Sequence, residues 1–250
     1  MKKIILFILI PLSCFAQNSF LFEYDVSLNS LERKGYLHFN ENSNPYYFET
    51  SKNSNLKDTK SDKDGNYEIK IILGDNSSKK RFQVYEKDTL FNIDFLNKKK
   101  VICFESFSKM NWEIKNETKI ISNYNCIKAE IMFRGRKYIA WFTTEVPIRF
   151  GPWKFVNTPG LIMQIYDETQ TFTWSITKIK FTKDFEEFDI DEKIKKISLK
   201  EFVQLKEKSN LEMVNQSMLK FQNRGLELAE SQYIRGRELK FEWEEEKKKQ

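Results

Sequence analysis

The chain has 250 residues, of which 31% are charged and 40% apolar, and carries a formal charge of +6. Without its first sixteen residues it loses Lys2 and Lys3, and the remaining +4 is too small and too scattered for a nucleic-acid surface. One histidine, His38, and no Cys-x-x-Cys or His-x-x-x-His spacing leave no basis for a zinc site or another resident cofactor.

The N-terminus places Met1-Lys2-Lys3 before the apolar run Ile4–Ile10, with Ala16 and Cys14 at the −1 and −3 positions of a cleavage site. The run is shorter than the ~20 residues a spanning helix needs. Residues 1–16 are therefore read as a cleaved secretory signal rather than an uncleaved anchor. Lipidation at Cys14 is the competing reading, although Pro11 stands where a lipobox has leucine. The mature chain is expected in the periplasm or at the outer-membrane periphery, with at most peripheral membrane contact.

About 234 residues then follow, enough for one domain with its own core. Phe20, Phe22, Tyr24, Val26 and Leu28 alternate with Glu23, Asp25 and Ser27, the pattern of a half-buried strand. The same alternation recurs at Tyr67–Leu73, Phe91–Phe95 and Phe172–Ile176. Ser51–Asn66 is polar and lysine-rich and reads as a loop, and Lys98-Lys99-Lys100 as a turn. Asp64-Gly65-Asn66, Gly74-Asp75-Asn76 and Arg134-Gly135-Arg136 are hairpin-type turns. Roughly ten strands between residues 20 and 182 approach the limit for an open sheet before it curls or splits.

Cys103 and Cys126 lie in apolar strand-like segments, and in an oxidising compartment they form a candidate disulfide, the alternative being two separate buried thiols.

At Ser198 the period changes. Ser198 and Glu201 form a capping-box pattern, followed by Leu199, Phe202 and Val203, then Leu211, Val214, Met218 and Phe221. This predicts one or two amphipathic helices, divided near Ser209-Asn210, docking on the sheet. Leu239, Phe241 and Trp243 fit a returning strand or a frayed helix, and Glu244–Lys249 a solvated tail. The domain plan is thus a signal at 1–16, an antiparallel β domain at 17–197, and a helical segment at 198–250 belonging to the same domain. The fold class is mainly β with C-terminal α: a strongly curved antiparallel sheet or incomplete barrel covered by an amphipathic helix.

No nucleophile elbow, phosphate loop or dinucleotide fingerprint is present, so no catalytic residue is assigned. The informative stretch is Gly151-Pro152-Trp153-Lys154-Phe155 followed by Asn157-Thr158-Pro159-Gly160-Leu161-Ile162. Together with residues 112–147 and the tail Arg237–Glu242, it resembles the GLPGLI family of exported Bacteroidetes proteins. Asn157 and Thr158 replace that hexapeptide's first Gly and Leu. Pro147, Gly151 and Pro152 force a turn, and Pro159-Gly160 fits a type II turn ahead of a strand at Leu161–Tyr166. Trp153 and Phe155 either plug one end of the barrel or form a recognition loop at its mouth.

By fold analogy the exported strand-rich pattern looks like a lipoprotein-carrier half-barrel. The expectation is a non-enzymatic binding or carrier protein for an apolar ligand: a lipid, a lipopeptide or an outer-membrane segment. An accessory subunit of an outer-membrane transport or assembly complex, contacting an outer-membrane protein partner, is the second reading. An unrecognised hydrolase is the third.

Overall fold

The computed structural model describes residues 19–51, 59–61, 67–69, 81–97, 99–106, 110–182, 190–222 and 235–246. The expected secretory signal and the turns expected at Asp64–Asn66 and Gly74–Asn76 lie outside the described residues. The strands are β1 (Ser19–Leu28), β2 (Leu31–Asn40), β3 (Tyr46–Ser51), β4 (Thr59–Ser61), β5 (Tyr67–Ile69), β6 (Arg81–Glu86) and β7 (Thr89–Leu96). They continue as β8 (Lys99–Ser106), β9 (Glu113–Ile121), β10 (Tyr124–Phe133), β11 (Arg136–Thr143), β12 (Leu161–Asp167), β13 (Phe172–Thr182) and β14 (Lys196–Ser198). Helices α1 (Leu199–Gln222) and α2 (Glu242–Glu246) close the chain.

The molecule is mostly β. Twelve strands form one unclosed sheet in the order β14-β8-β7-β6-β3-β2-β1-β13-β12-β11-β10-β9, while β4 and β5 pair apart as a small hairpin. That hairpin places a strand inside the stretch expected to be a loop, and Lys99 and Lys100 open β8 rather than complete a turn. Pairing is antiparallel except at one end, where β14 runs parallel to β8.

Three turns show how the meander is driven locally. Asn29 and Ser30 (φ 50° and 67°), Ser122 and Asn123 (49° and 70°), and Arg134 and Gly135 (45° and 81°) each place two successive residues in the left-handed region. That is the two-residue hairpin geometry whose twist matches the strands it joins. Asn supplies the tolerance in two of the three.

The alternation in β1 is realised as expected. Phe22, Tyr24 and Val26 are buried while Asp25 is exposed, and β1 pairs with both β2 and β13 along its whole length. The main core gathers these residues with Tyr138, Phe142, Phe155, Leu161, Ile162 and Trp174. Each such side chain contributes roughly 1.5–3 kcal/mol by burial.

A second cluster joins the helix to the sheet. Leu199 and Phe202 pack with Val101, Cys103, Ile197 and Phe241. The Ser198 hydroxyl accepts the Glu201 N–H at 3.2 Å, so the expected cap is formed. α1 is one continuous helix through Ser209-Asn210. It packs by its first turn, where Leu199 and Phe202 are buried, while Leu211, Met213 and Leu219 further along are exposed. The reason is positional: Ser209 already bonds Asn97, in the turn between β7 and β8, so the helix has reached the end of the strands by mid-length.

The expected disulfide is absent. Cys103 and Cys126 are both free and buried, in different clusters, on strands that stand second and eleventh in the sheet order. Burial pushes the Cys103 thiol up to about 12 and also raises Cys126, so both are neutral packing groups.

Candidate binding cleft and C-terminal strap

Between β11 and β12 the chain makes the motif loop. A Phe150–Val156 bridge closes it, with the Gly151 N–H on the Phe155 carbonyl at 2.8 Å and the Asn157 N–H on the Arg149 carbonyl at 2.8 Å. Pro159-Gly160 is not a type II turn, because Gly160 lacks the positive φ that such a turn needs at its third residue. The left-handed positions are Trp153 (φ 53°) and Asn157 (φ 66°). Gly160 is required for space instead: a Cβ there would lie 1.9 Å from the Thr143 carbonyl oxygen. Asn157, standing where the resembled hexapeptide has glycine, is the residue type that tolerates this backbone.

The loop feeds its aromatics inward. Phe155 is fully buried among Trp112, Phe133, Tyr138 and Trp174. Trp153 is 4% exposed and lies parallel to Trp174, with ring centres 5.8 Å apart. The Trp153 carbonyl accepts the Tyr85 hydroxyl from β6. Leu161 and Ile162 are buried at the start of β12, and the Tyr24 hydroxyl donates to the Ile162 carbonyl at 2.9 Å. Pro152 is buried as well, so residues 151–156 and 160–162 act as one packed unit, while Asn157 and Pro159 are exposed.

Charge is buried beside this unit. Glu49, on the core side of β3, accepts Arg237 at 2.9 Å, the Tyr47 hydroxyl at 3.2 Å and the Trp174 indole N–H at 3.4 Å. Lys154 pairs with Glu105 at 2.6 Å and Glu238 at 2.8 Å. Arg134, in the turn between β10 and β11, pairs with Glu105 at 2.7 Å, with Glu238, and with Glu242 at 3.1 Å. Burial alone would raise the Glu238 carboxyl, but Lys154 and Arg134 outweigh it and hold it below its ordinary value. Burial would likewise lower Lys154, and Glu105 and Glu238 reverse the sign.

Residues Arg235–Phe241 form a strap across these groups. The strap, the first turns of α1 and the strands β6–β8 enclose a cleft of about 230 Å³, lined by Trp153, Phe202 and Phe241 with Gln83, Asn92 and Lys206. Three cationic side chains on its wall are matched in place: Arg237 with Glu49, Lys206 with Asp94 at 3.3 Å, and Arg235 with Glu207 at 2.6 Å. Among the described residues no group of three or more His, Cys, Asp and Glu could hold a metal.

The motif loop was legible in the sequence; the ionic groups around it were not. One signal existed: Glu49 follows Tyr47 at the core phase of an alternating strand, where a carboxylate needs a buried partner.

Comparison with known proteins places the fold. Residues 76–201 match the family model described as N-glycanase peptide, N-terminal domain. A crystal structure of PNGF-II in space group P21 is similar with a TM-score of 0.51 at 15% identity, over 77% of this chain and 34% of that one. A second crystal form of PNGF-II, in space group C2, has a TM-score of 0.47 at 14% identity, over 77% and 33%. The chain thus spans about a third of the length of these structures. A search of the curated proteins found no match.

Proposed function

The chain belongs to the family of the N-glycanase peptide N-terminal domain, and we propose that it serves as a non-enzymatic, exported binding module. In this reading residues 1–16 are its secretory signal and the mature chain works in the periplasm or at the outer-membrane periphery. The unclosed sheet is an incomplete barrel of the lipoprotein-carrier kind. Contacts between strands far apart in the sheet order, such as Glu105 of β8 with Arg134 next to β10, support that curvature. The GLPGLI resemblance is retained on the motif loop, whose glycines have steric reasons to be glycine. The N-glycanase of the family's name is not carried over.

The observation that carries the proposal is the cleft beside Trp153. At about 230 Å³ it falls short of the ~300–1,000 Å³ of a whole-ligand pocket. It suits the apolar end of a larger molecule; at its polar edge the Gln83 amide donates to Asn92 at 2.8 Å, and Asn92 donates to Glu105 at 3.2 Å. With Arg237, Lys206 and Arg235 on the wall already paired, an uncharged inserted part suits it. Native mass spectrometry of residues 17–250 isolated from the host envelope tests this. A reproducible mass released on denaturation is expected. A folded chain with no added mass, before and after incubation with envelope lipid extract, refutes it.

The accessory-subunit reading rests on a different surface, the exposed Leu211, Met213 and Leu219 of α1. Crosslinking in the host through this helix would capture an outer-membrane protein; replacing these three residues with polar ones would abolish the capture.

A further inference from the structure

The strap Arg235–Phe241 has neither helix nor strand, yet its backbone is held at three places. The Arg134 carbonyl accepts the N–H groups of Leu239 and Lys240 at 2.9 and 3.1 Å. The Arg136 guanidinium donates twice to the Gly236 carbonyl, at 3.0 and 2.9 Å. The Tyr138 hydroxyl donates to the Arg237 carbonyl at 2.8 Å. Main-chain capture of this kind is how proteins hold extended peptides.

Its side chains enter three sockets. Arg237 reaches Glu49 and lies over Trp153 and Trp174, 4.9 and 5.8 Å from their ring centres. Glu238 sits between Lys154 and Arg134. Phe241 is 4% exposed, packed with Val101, Cys103 and Ile197. The two charged sockets are fixed by contacts outside the strap: Glu49 by Tyr47 and Trp174, Lys154 and Arg134 by Glu105. Without the strap, Glu49 would remain as an anion, and Lys154, Arg134 and Glu105 together as a net cation. That charge pair is complementary to an Arg-Glu dipeptide and costly to leave empty.

We propose that the surface beneath the strap is a peptide-binding channel, filled in this structure by the chain's own C-terminal segment. In trans it takes an extended peptide with the pattern Arg-Glu-x-x-Phe. Tethering keeps it occupied in cis, since a linked segment competes at an effective concentration of about millimolar. The proposal goes beyond the cleft reading and does not depend on what the cleft holds.

The test uses the mature chain with a protease site placed within residues 223–234, cut after folding, and a fluorescent peptide of residues 235–246. After cutting, the labelled peptide is expected to exchange into the channel. A peptide with Arg237 and Glu238 interchanged binds weaker by about tenfold or more, and uncut chain takes up about tenfold less of the native peptide. If the cut chain loses its fold and the native peptide alone restores it, the channel is equally supported. Three results overturn the proposal: a folded cut chain that keeps its own fragment without exchange, equal binding of both peptides, or an unfolded cut chain that the native peptide does not restore.

Discussion

The indole of Trp153 lies 7° from parallel to that of Trp174, with centroids 5.8 Å apart, and the Arg237 guanidinium covers both rings. One residue comes from the motif loop, one from β13 and one from the strap, so this stack ties three separate pieces of chain together. Its position at φ 53° shows that packing, not backbone preference, sets Trp153 where it is. Trp153→Ala should destabilise the fold by about 3–5 kcal/mol, measured by urea unfolding, and Trp153→Phe by clearly less. A change under ~1 kcal/mol for the alanine variant would mean that the stack does not hold the loop.

The two motif glycines should differ. At Gly160 an added Cβ meets backbone, the Thr143 carbonyl at 1.9 Å; at Gly151 the nearest atom is the end of the Ile162 side chain at 2.7 Å, with the Phe155 carbonyl at 2.9 Å. Gly160→Ala should therefore cost more than about 4 kcal/mol or prevent folding, while Gly151→Ala costs less. Asn157→Gly should be nearly neutral, and Asn157→Val should lose about 1–2 kcal/mol at its left-handed position. Melting temperatures of the four variants would establish or reverse this ranking.

Acid stability should depend on Glu238. Its folded carboxyl titrates below the ordinary value of about 4.3. A carboxyl depressed by folding contributes stability above its unfolded value, and that contribution fades as pH falls through the folded one. Unfolding midpoints should thus fall below pH ~4, and Glu238→Gln should flatten that limb while costing about 3–5 kcal/mol at neutral pH by leaving Lys154 and Arg134 underpaired. At the other end, burial raises Tyr24 and Tyr85 far above 10. Their contribution is complete below pH ~10 and lost above it. A variant with an unchanged acid limb would remove Glu238 from this role.

Period and punctuation made most of the frame readable. The alternation in β1 and β13, the cap at Ser198 and the glycine-proline loop follow from rules acting within a few residues. What escaped depends on contacts far along the chain. Arg134 occupies a hairpin turn, ordinarily a solvated place, and is buried only because Glu105 and Glu238 arrive from 29 and 104 residues away. Cys103 and Cys126 both lie in apolar strand segments, but packing places them in different core clusters. Leu211 of α1 continues the apolar spacing of the docked Leu199 and Phe202 yet is exposed, because the helix has by then reached the Asn97 turn at the end of the strands.

That last point gives a prediction along one helix. Phe202 is 9% exposed and contacts Val101, Cys103 and Phe241, whereas Leu211 is 51% exposed. Phe202→Ala should cost about 3–5 kcal/mol, and Leu211→Ser less than about 0.5 kcal/mol.

The thiols provide a separate check on the packing. In folded chain of residues 17–250, Cys103 and Cys126 are buried, and raised values keep both protonated near pH 8. A thiol reagent should find neither in the folded chain and both after denaturation without reductant, with the intact mass showing no loss of two hydrogens. One or both reacting rapidly in the native state would contradict the burial. No reactive thiol after denaturation, with two hydrogens missing, would contradict the placement of Cys103 and Cys126 in separate core clusters.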